Sequence, residues 1–249
     1  MPDRATVHVN CFKWGSLYSA DDVNRLHAMF ARQLSIPHVF HCVTEDPRGL
    51  RDTIRAHPMP DFDFTMQDCG HGRKLAIFMH DFLGLQGQLL VQVDIDVVLT
   101  DTVDFLFDYP EQDFMVARGR NQANNTRGHC AVMRVRVGAM PHVWTDFVDD
   151  PAGTVARCQH HRSPPGFISD QRYLDWKLEE MAFFKDGAIV YFRQDCDAYT
   201  DHPLPQGEAT PPAGAAIVSF AGQIKPDMVM NGPYGTCRHA PFVSTHWHE

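Results

Sequence analysis

The sequence predicts an α/β fold, a single domain over residues 1–249 with a mainly parallel central sheet flanked by helices. Three observations carry this expectation. A strand–helix–strand pattern runs through residues 6–44, and such a unit joins parallel strands by a right-handed crossover. The segment "LLVQVDIDVVLTD" (89–101) is apolar enough for a strand buried on both faces. Further strand-like segments alternate with helical ones as far as residue 221.

In chain order, "TVHVNCF" (6–12) has the composition of a first core strand. The helix "SADDVNRLHAMFARQL" follows. Ser19 is a good N-cap, Asp21 and Asp22 favour the positive end of the helix dipole, and Val23, Leu26, Phe30 and Leu34 share one face. "HVFHCVT" (38–44) is a second strand, closed by "EDPRG". "GRKLAIFMHDF" (72–82) reads as a helix leading into the apolar segment. "DFMVA" (113–117) and "CAVMRVRV" (130–137) read as strands, and the polar stretch between them (118–129) is long for a simple connection. "DQRYLDWKLEEMAFF" (170–184) reads as a helix with Leu174, Leu178 and Met181 on one face. "AIVYF" (188–192) and "AAIVSFA" (215–221) are late strands, separated by the proline-rich loop 202–215.

Apolar residues make up 44% and charged residues 21%, as in an ordinary soluble globular protein. The net charge is −9, from 22 basic and 31 acidic residues, which argues against a general nucleic-acid binder. The opening "MPDRATVHVNCF" lacks the features of a signal peptide, and no stretch has the length of a membrane span. Seven cysteines, at 11, 42, 69, 130, 158, 196 and 237, form no C-x-x-C pair, so reduced thiols and a cytoplasmic location are expected. "CQHH" (158–161) has zinc-ligand residue types but no matching second pair.

Asp94 and Asp96 are the anomaly. Two ionised carboxylates in an apolar strand are costly without partners. In open α/β sheets ligands bind beyond the carboxyl ends of strands, and paired carboxylates suit a hard cation such as Mn²⁺ or Mg²⁺ that keeps positions open for phosphate. Equally, such acids can cap a turn and face water.

Two enzyme classes place D-x-D after an apolar strand. "VDIDVVLTD" resembles the first motif of haloacid-dehalogenase-like phosphatases, with Asp94 as nucleophile and Asp96 as acid/base. That motif normally opens its fold and has a small residue where this chain has Val97, whereas two core strands precede it here. More of the chain resembles the nucleotide-sugar glycosyltransferases of the GT-A fold, glycogenin-like and related bacterial members. The resemblance rests on seven blocks in order: "VNCFKWGSLYSADDVNRLHAMFARQL", "FHCVTEDPRGL", "GRKLAIF", "DVVLTDTVDFLF", "CAVMRVRVG", "SDQRYLD" and "SFAGQIKP". It spans residues 7 to about 227.

This resemblance implies a GT-A-like (Rossmann-like) domain. Residues 1–100 would form a nucleotide-binding half ending in D-x-D, and 101–249 a sugar and acceptor half. It implies transfer of a hexose from a nucleoside-diphosphate sugar, with UDP as the expected nucleotide, to a glycan, lipid or small-molecule hydroxyl. Retention is favoured over inversion. Asp94 and Asp96 would hold Mn²⁺ or Mg²⁺. Val9, Asn10 and Tyr18 would surround the base; by composition alone Tyr18 is equally a half-buried tyrosine at a helix start. Arg73 and Lys74 would lie near donor phosphates or sugar, though solvated helix charges read the same way. Lys225 would contact the diphosphate, with Gly222 permitting close backbone approach. Asp170 and Gln171 would face the reacting sugar or acceptor, or simply begin a helix after Ser169. Two departures stand out. Ser219 and Ala221 occupy positions where family members carry a metal-binding histidine, leaving His246 or His248 as substitutes from the C-terminal segment. His129 stands where an asparagine is usual. A phosphatase and a non-catalytic nucleotide-sugar binder remain the alternatives. No nucleic acid is expected as a partner, and membrane contact would be peripheral at most.

Overall fold

Period-two alternation along β1 (Val7–Lys13) decides which side of the sheet is which. Val9 and Cys11 face one apolar cluster, together with Val23, Leu26, Met29 and Phe30 of α1 (Ala20–Gln33). Phe12 faces the other cluster, with Leu75, Ile77 and Phe82. Each large apolar side chain buried this way contributes about 1.5–3 kcal/mol. The start of α1 is fixed by Ser19, whose hydroxyl accepts from the Asp22 N–H while the Asp22 carboxylate accepts from the Ser19 N–H. The structure, a computed structural model, describes residues 6–61, 70–119, 127–158, 169–197 and 207–249.

Beyond α1 come β2 (His38–Thr44), β3 (Ile54–His57), β4 (Leu89–Val93), β5 (Val97–Leu99), β6 (Phe114–Arg118) and β7 (Gly128–Arg136). They are followed by helices α2 (His142–Asp149), α3 (Pro151–Cys158) and α4 (Asp170–Lys177), then β8 (Ala182–Phe183), β9 (Ile189–Tyr191) and β10 (Ile217–Ser219), and the short helices α5 (Pro226–Val229) and α6 (Pro241–His246). The central sheet has seven strands in the order β3-β2-β1-β4-β7-β6-β8. Only β7 runs against the others: its pairings with β4 and β6 are antiparallel, and the remaining four are parallel. A smaller sheet, β5-β10-β9, stands beside it. The mainly parallel α/β architecture expected from the sequence is the one observed.

Several local readings change. Residues 72–82 are not an α-helix. A 3-10 run, Gly70–Phe78, occupies this stretch, and a second short one spans Phe82–Gly84. The helix beginning at Asp170 ends at Lys177, not 184, because Leu178 turns extended at ψ 124°. Met181 and the residues after it then leave the helix, and Ala182–Phe183 adds an edge strand to β6. The segment 89–101 is two strands in two sheets rather than one. Most of the polar stretch 118–129, the start of the proline-rich loop (202–206) and all of "CQHH" but Cys158 lie outside the described residues. The six described cysteines are all buried and free.

Candidate active site

The break between β4 and β5 is where the two aspartates sit. Asp94 and Asp96 flank buried Ile95 in a tight turn, so neither carboxylate lies within a strand. The turn is tied on both sides. The Asp94 N–H donates to the Ala131 carbonyl of β7 (2.8 Å), and the Asp96 carbonyl accepts from the Phe220 N–H (2.9 Å). A cleft of about 460 Å³ opens at this point, at the carboxyl end of β4.

Lysines meet both acids. Lys74 Nζ lies 3.0 Å from Asp94 Oδ1 and 2.7 Å from Asp170 Oδ2, the second an ion pair at an angle poor for a hydrogen bond. Lys225 Nζ donates to Asp96 Oδ2 (2.6 Å) and to the Tyr18 hydroxyl oxygen (2.7 Å), and Tyr18 Oη donates to the same Asp96 oxygen (2.8 Å). Burial alone would lower the Lys74 pKa, but Asp170 and Asp94 reverse this and hold it raised. Burial would raise Asp170, yet Lys74 and His71 keep it below its ordinary value. Asp96 is raised by burial and by Asp94, against the pull of Lys225 and Tyr18. The Tyr18 hydroxyl is raised by burial and by Asp96, so it stays protonated.

The cleft therefore gathers Tyr18, Lys74, Asp94, Asp96, Gln171, Gly222 and Lys225 from the residues the sequence singled out. Gly222 has φ +93° and open space where a Cβ would stand, as a close ligand approach requires. Asp170 is fully buried behind the cleft, where it fixes Lys74 and accepts from the Gln171 N–H (2.9 Å). Arg73 is not among the residues lining the cleft; its guanidinium lies 4.5 Å over the ring of Trp14, which does line it. Val9 and Asn10 are buried in β1 and do not line the cleft; Asn10 Nδ2 donates to Gln92 Oε1 (2.6 Å). His246 is not brought to the acids. Its carbonyl accepts from Arg32 in the last turn of α1, thirteen residues and roughly 20 Å along the helix from Ser19.

The cleft also contains residues that sequence reasoning passed over: Trp14, His71, Arg172 and Gln194, besides His129. His71 Nδ1 lies 3.9 Å from Asp170 Oδ1, and burial and Lys74 lower its pKa. His129 is lowered to about 4, first by burial and then by Lys74, so it is neutral at pH 7. His71 stands three residues before Lys74 in the same 3-10 run, so that pairing was the one signal available.

The donor set for a divalent cation is incomplete. One oxygen of each aspartate is already taken by a lysine. Among the described residues no group of three or more His, Cys, Asp or Glu side chains is arranged to hold a metal ion. Ser219 is buried in β10 with its hydroxyl unpartnered, and Ala221 lines the cleft with no donor atom to offer. These residues do not fit a cation held mainly by the protein.

No family model matches the chain, and no curated protein matches it. Solved structures do. The chain superposes on an active-site mutant of LgtC with TM-score 0.56 and 12% identity, over 88% of this chain and 89% of that one. It superposes on the galactosyltransferase LgtC in complex with donor and acceptor sugar analogues at TM-score 0.53 and 12% identity, with the same coverage of both chains (88% and 89%). GlyE, a glycosyltransferase of Streptococcus pneumoniae, gives TM-score 0.55 and 14% identity over 89% of this chain and 56% of its own. The fold is GT-A-like. In the GT-A frame the Asp94–Ile95–Asp96 turn stands at the carboxyl edge of the central sheet, between the two sheets. No helix among the described residues is long and apolar enough to cross a membrane.

Proposed function

We propose that the protein is a glycosyltransferase that moves a hexose from a nucleoside-diphosphate sugar, UDP-linked by preference, to an acceptor hydroxyl. One observation carries the reading. On a GT-A-like fold, two aspartates, two lysines and Gln171 converge on a single cleft at the end of β4. In the reaction the bond between sugar C1 and the diphosphate oxygen breaks, and a bond from C1 to the acceptor oxygen forms. The acceptor proton leaves to solvent or to the departing diphosphate. Lys225 is placed to meet the charge that grows on that diphosphate. Gln171 lines the cleft and supplies a neutral polar contact for the sugar. Asp170, buried and ion-paired, acts as a positioning residue for Lys74 and Gln171 rather than as a base. Residues 1–100 supply Tyr18, Lys74 and both aspartates; 101–249 supply Gln171, Gly222 and Lys225, in keeping with a donor half and a sugar half.

Retention of configuration is the reading favoured here, because Asp170 is committed to Lys74 and so is not available as the base that inversion requires. Proton NMR of the first-formed product from an α-linked donor would show an α anomer. A β anomer would overturn retention and give the base role to neutral His71. The wider reading is tested by incubating the protein with UDP-glucose, UDP-galactose and their GDP counterparts and following release of the nucleoside diphosphate. Slow hydrolysis or transfer is expected from one donor, falling roughly 100-fold or more in Lys225→Met. Release from none of them over many hours, with UDP still bound, would replace a transferase by a nucleotide-sugar binding protein. Mg²⁺-dependent hydrolysis of p-nitrophenyl phosphate, lost in Asp94→Asn, would favour a phosphatase.

A further inference from the structure

The two lysines do more than balance charge. An ammonium has three N–H donors. Lys225 spends two, on Asp96 and on Tyr18, and Lys74 donates one to Asp94 while its charge is ion-paired with Asp170. Each keeps at least one, and both side chains line the cleft. Lys225 is anchored from two sides, so its charge is held in place before any ligand arrives. The aspartates, in turn, each have one oxygen committed to a lysine.

We infer that this cleft binds the diphosphate of its nucleotide with the Lys225 and Lys74 ammonium groups and needs no divalent cation to do so. The inference rests on the glycosyltransferase reading and deepens it. Asp94 and Asp96 then serve as anchors that orient the lysines, not as metal ligands. A cation entering between the aspartates would compete with Lys225 for Asp96 and with Lys74 for Asp94, and among the described residues no third acidic, histidine or cysteine side chain is arranged with them to hold it. Gly222, across the cleft, leaves room for phosphate oxygens beside the backbone. Two fixed charges held by partners need little rearrangement on binding, which is the advantage of a preorganised site.

The experiment is calorimetric titration of UDP into the intact protein, in EDTA and again in excess Mn²⁺, with Lys225→Met and Lys225→Arg alongside. Affinity is expected to agree within about threefold between EDTA and Mn²⁺, to fall by roughly tenfold or more in Lys225→Met, and to recover in part in Lys225→Arg. Mn²⁺ titrated alone and with UDP, followed by the electron paramagnetic resonance of free Mn²⁺, should remain unbound at micromolar protein. UDP binding that appears only with Mn²⁺ overturns the inference and leaves the glycosyltransferase reading intact. No binding of UDP or GDP in either medium overturns both. Circular dichroism separates loss of binding from loss of fold. Should Lys225→Met not fold, the wild-type comparison of EDTA with Mn²⁺ decides alone.

Discussion

Lys74 and Asp170 form an ion pair at 2.7 Å with both side chains almost wholly removed from water, 5% and 0% exposed. The pair is not symmetrical, because Lys74 also holds Asp94, whereas Asp170 has as a second neighbour, among the described residues, His71 at 3.9 Å, whose pKa burial lowers. Removing one member of a buried pair leaves an uncompensated charge and costs about 3–5 kcal/mol.

Unequal costs follow for the two halves of that pair. Lys74→Met strands the Asp170 carboxylate in the interior and should fall in the full range, whereas Asp170→Asn leaves Lys74 paired with Asp94 and should cost about half as much or less. Urea unfolding of the two variants gives the comparison. Equal losses, or a greater loss in Asp170→Asn, would show that Asp94 does not share the Lys74 charge.

Three histidines on the sheet face away from α1 predict a dependence of stability on pH. His8 Nε2 meets Gln88 Oε1 (2.7 Å), His8 Nδ1 meets His41 Nε2 (3.0 Å), and His41 Nδ1 meets His57 Nε2 (2.9 Å). Gln88 Oε1 can only accept, so His8 Nε2 carries a proton; with the rings neutral, His41 Nε2 then donates to His8 Nδ1 and His57 Nε2 to His41 Nδ1. Burial lowers all three pKa values, that of His41 to about 3. The unfolded chain therefore binds protons below about pH 6.5 that the folded chain refuses, and stability falls as pH drops from there toward 3. Each histidine kept neutral adds up to about 1.4 kcal/mol per pH unit to the slope. The urea midpoint should decline from pH 7 to pH 5, and less steeply in His41→Gln. A midpoint with the same slope in both proteins would remove the histidine row as the cause.

Arg134 is fully buried, and its guanidinium donates to the carbonyls of Leu106 (3.1 Å), Tyr109 (2.7 Å), Gln112 (3.2 Å) and Asp108. These carbonyls belong to the connection between β5 and β6, in which Tyr109 holds φ +57°. A planar fork can serve four acceptors, and a single ammonium cannot. Arg134→Lys should lose about 2 kcal/mol or more through carbonyls left unpaired. An unfolding midpoint unchanged from wild type would mean that water replaces the fork without cost.

Thiol chemistry offers a fourth check. Burial raises the pKa of Cys158 to about 11 and of Cys196 to about 12. It raises Cys11, Cys130 and Cys237 as well. Thiolate is the reactive form. These five, and Cys42 through its burial alone, should resist a disulfide reagent such as DTNB at pH 8 and react only on unfolding. Rapid labelling of several thiols in the native protein would contradict their burial.

The first half of the chain was legible because its local and global signals agree. Ser19 and the apolar face of α1 fix the helix, and β2 spans the residues its composition marks. The end of α4 was not legible, since Leu178 and Met181 keep helical spacing while the chain turns to pair with β6. β3, Ile54–His57, carries two exposed positions in four residues and shows no pattern to read. In the site, the aspartate pair was readable from chemistry, whereas Lys74 and Lys225 came only with the family resemblance. Arg73 and Lys74 illustrate the limit: adjacent in sequence, one stacks on Trp14 and the other enters the acidic cluster, and only the path of the 3-10 run decides which.

The turn Asp94–Ile95–Asp96 hangs from the large sheet at one end and from the small sheet at the other, through Ala131 and Phe220. The gap between its two carboxylates is therefore a property of the joint between the sheets. A descendant of this protein needing a wider or narrower gap, to suit a different ligand, would have to re-seat one sheet against the other, whereas the walls around the turn can be rebuilt one residue at a time.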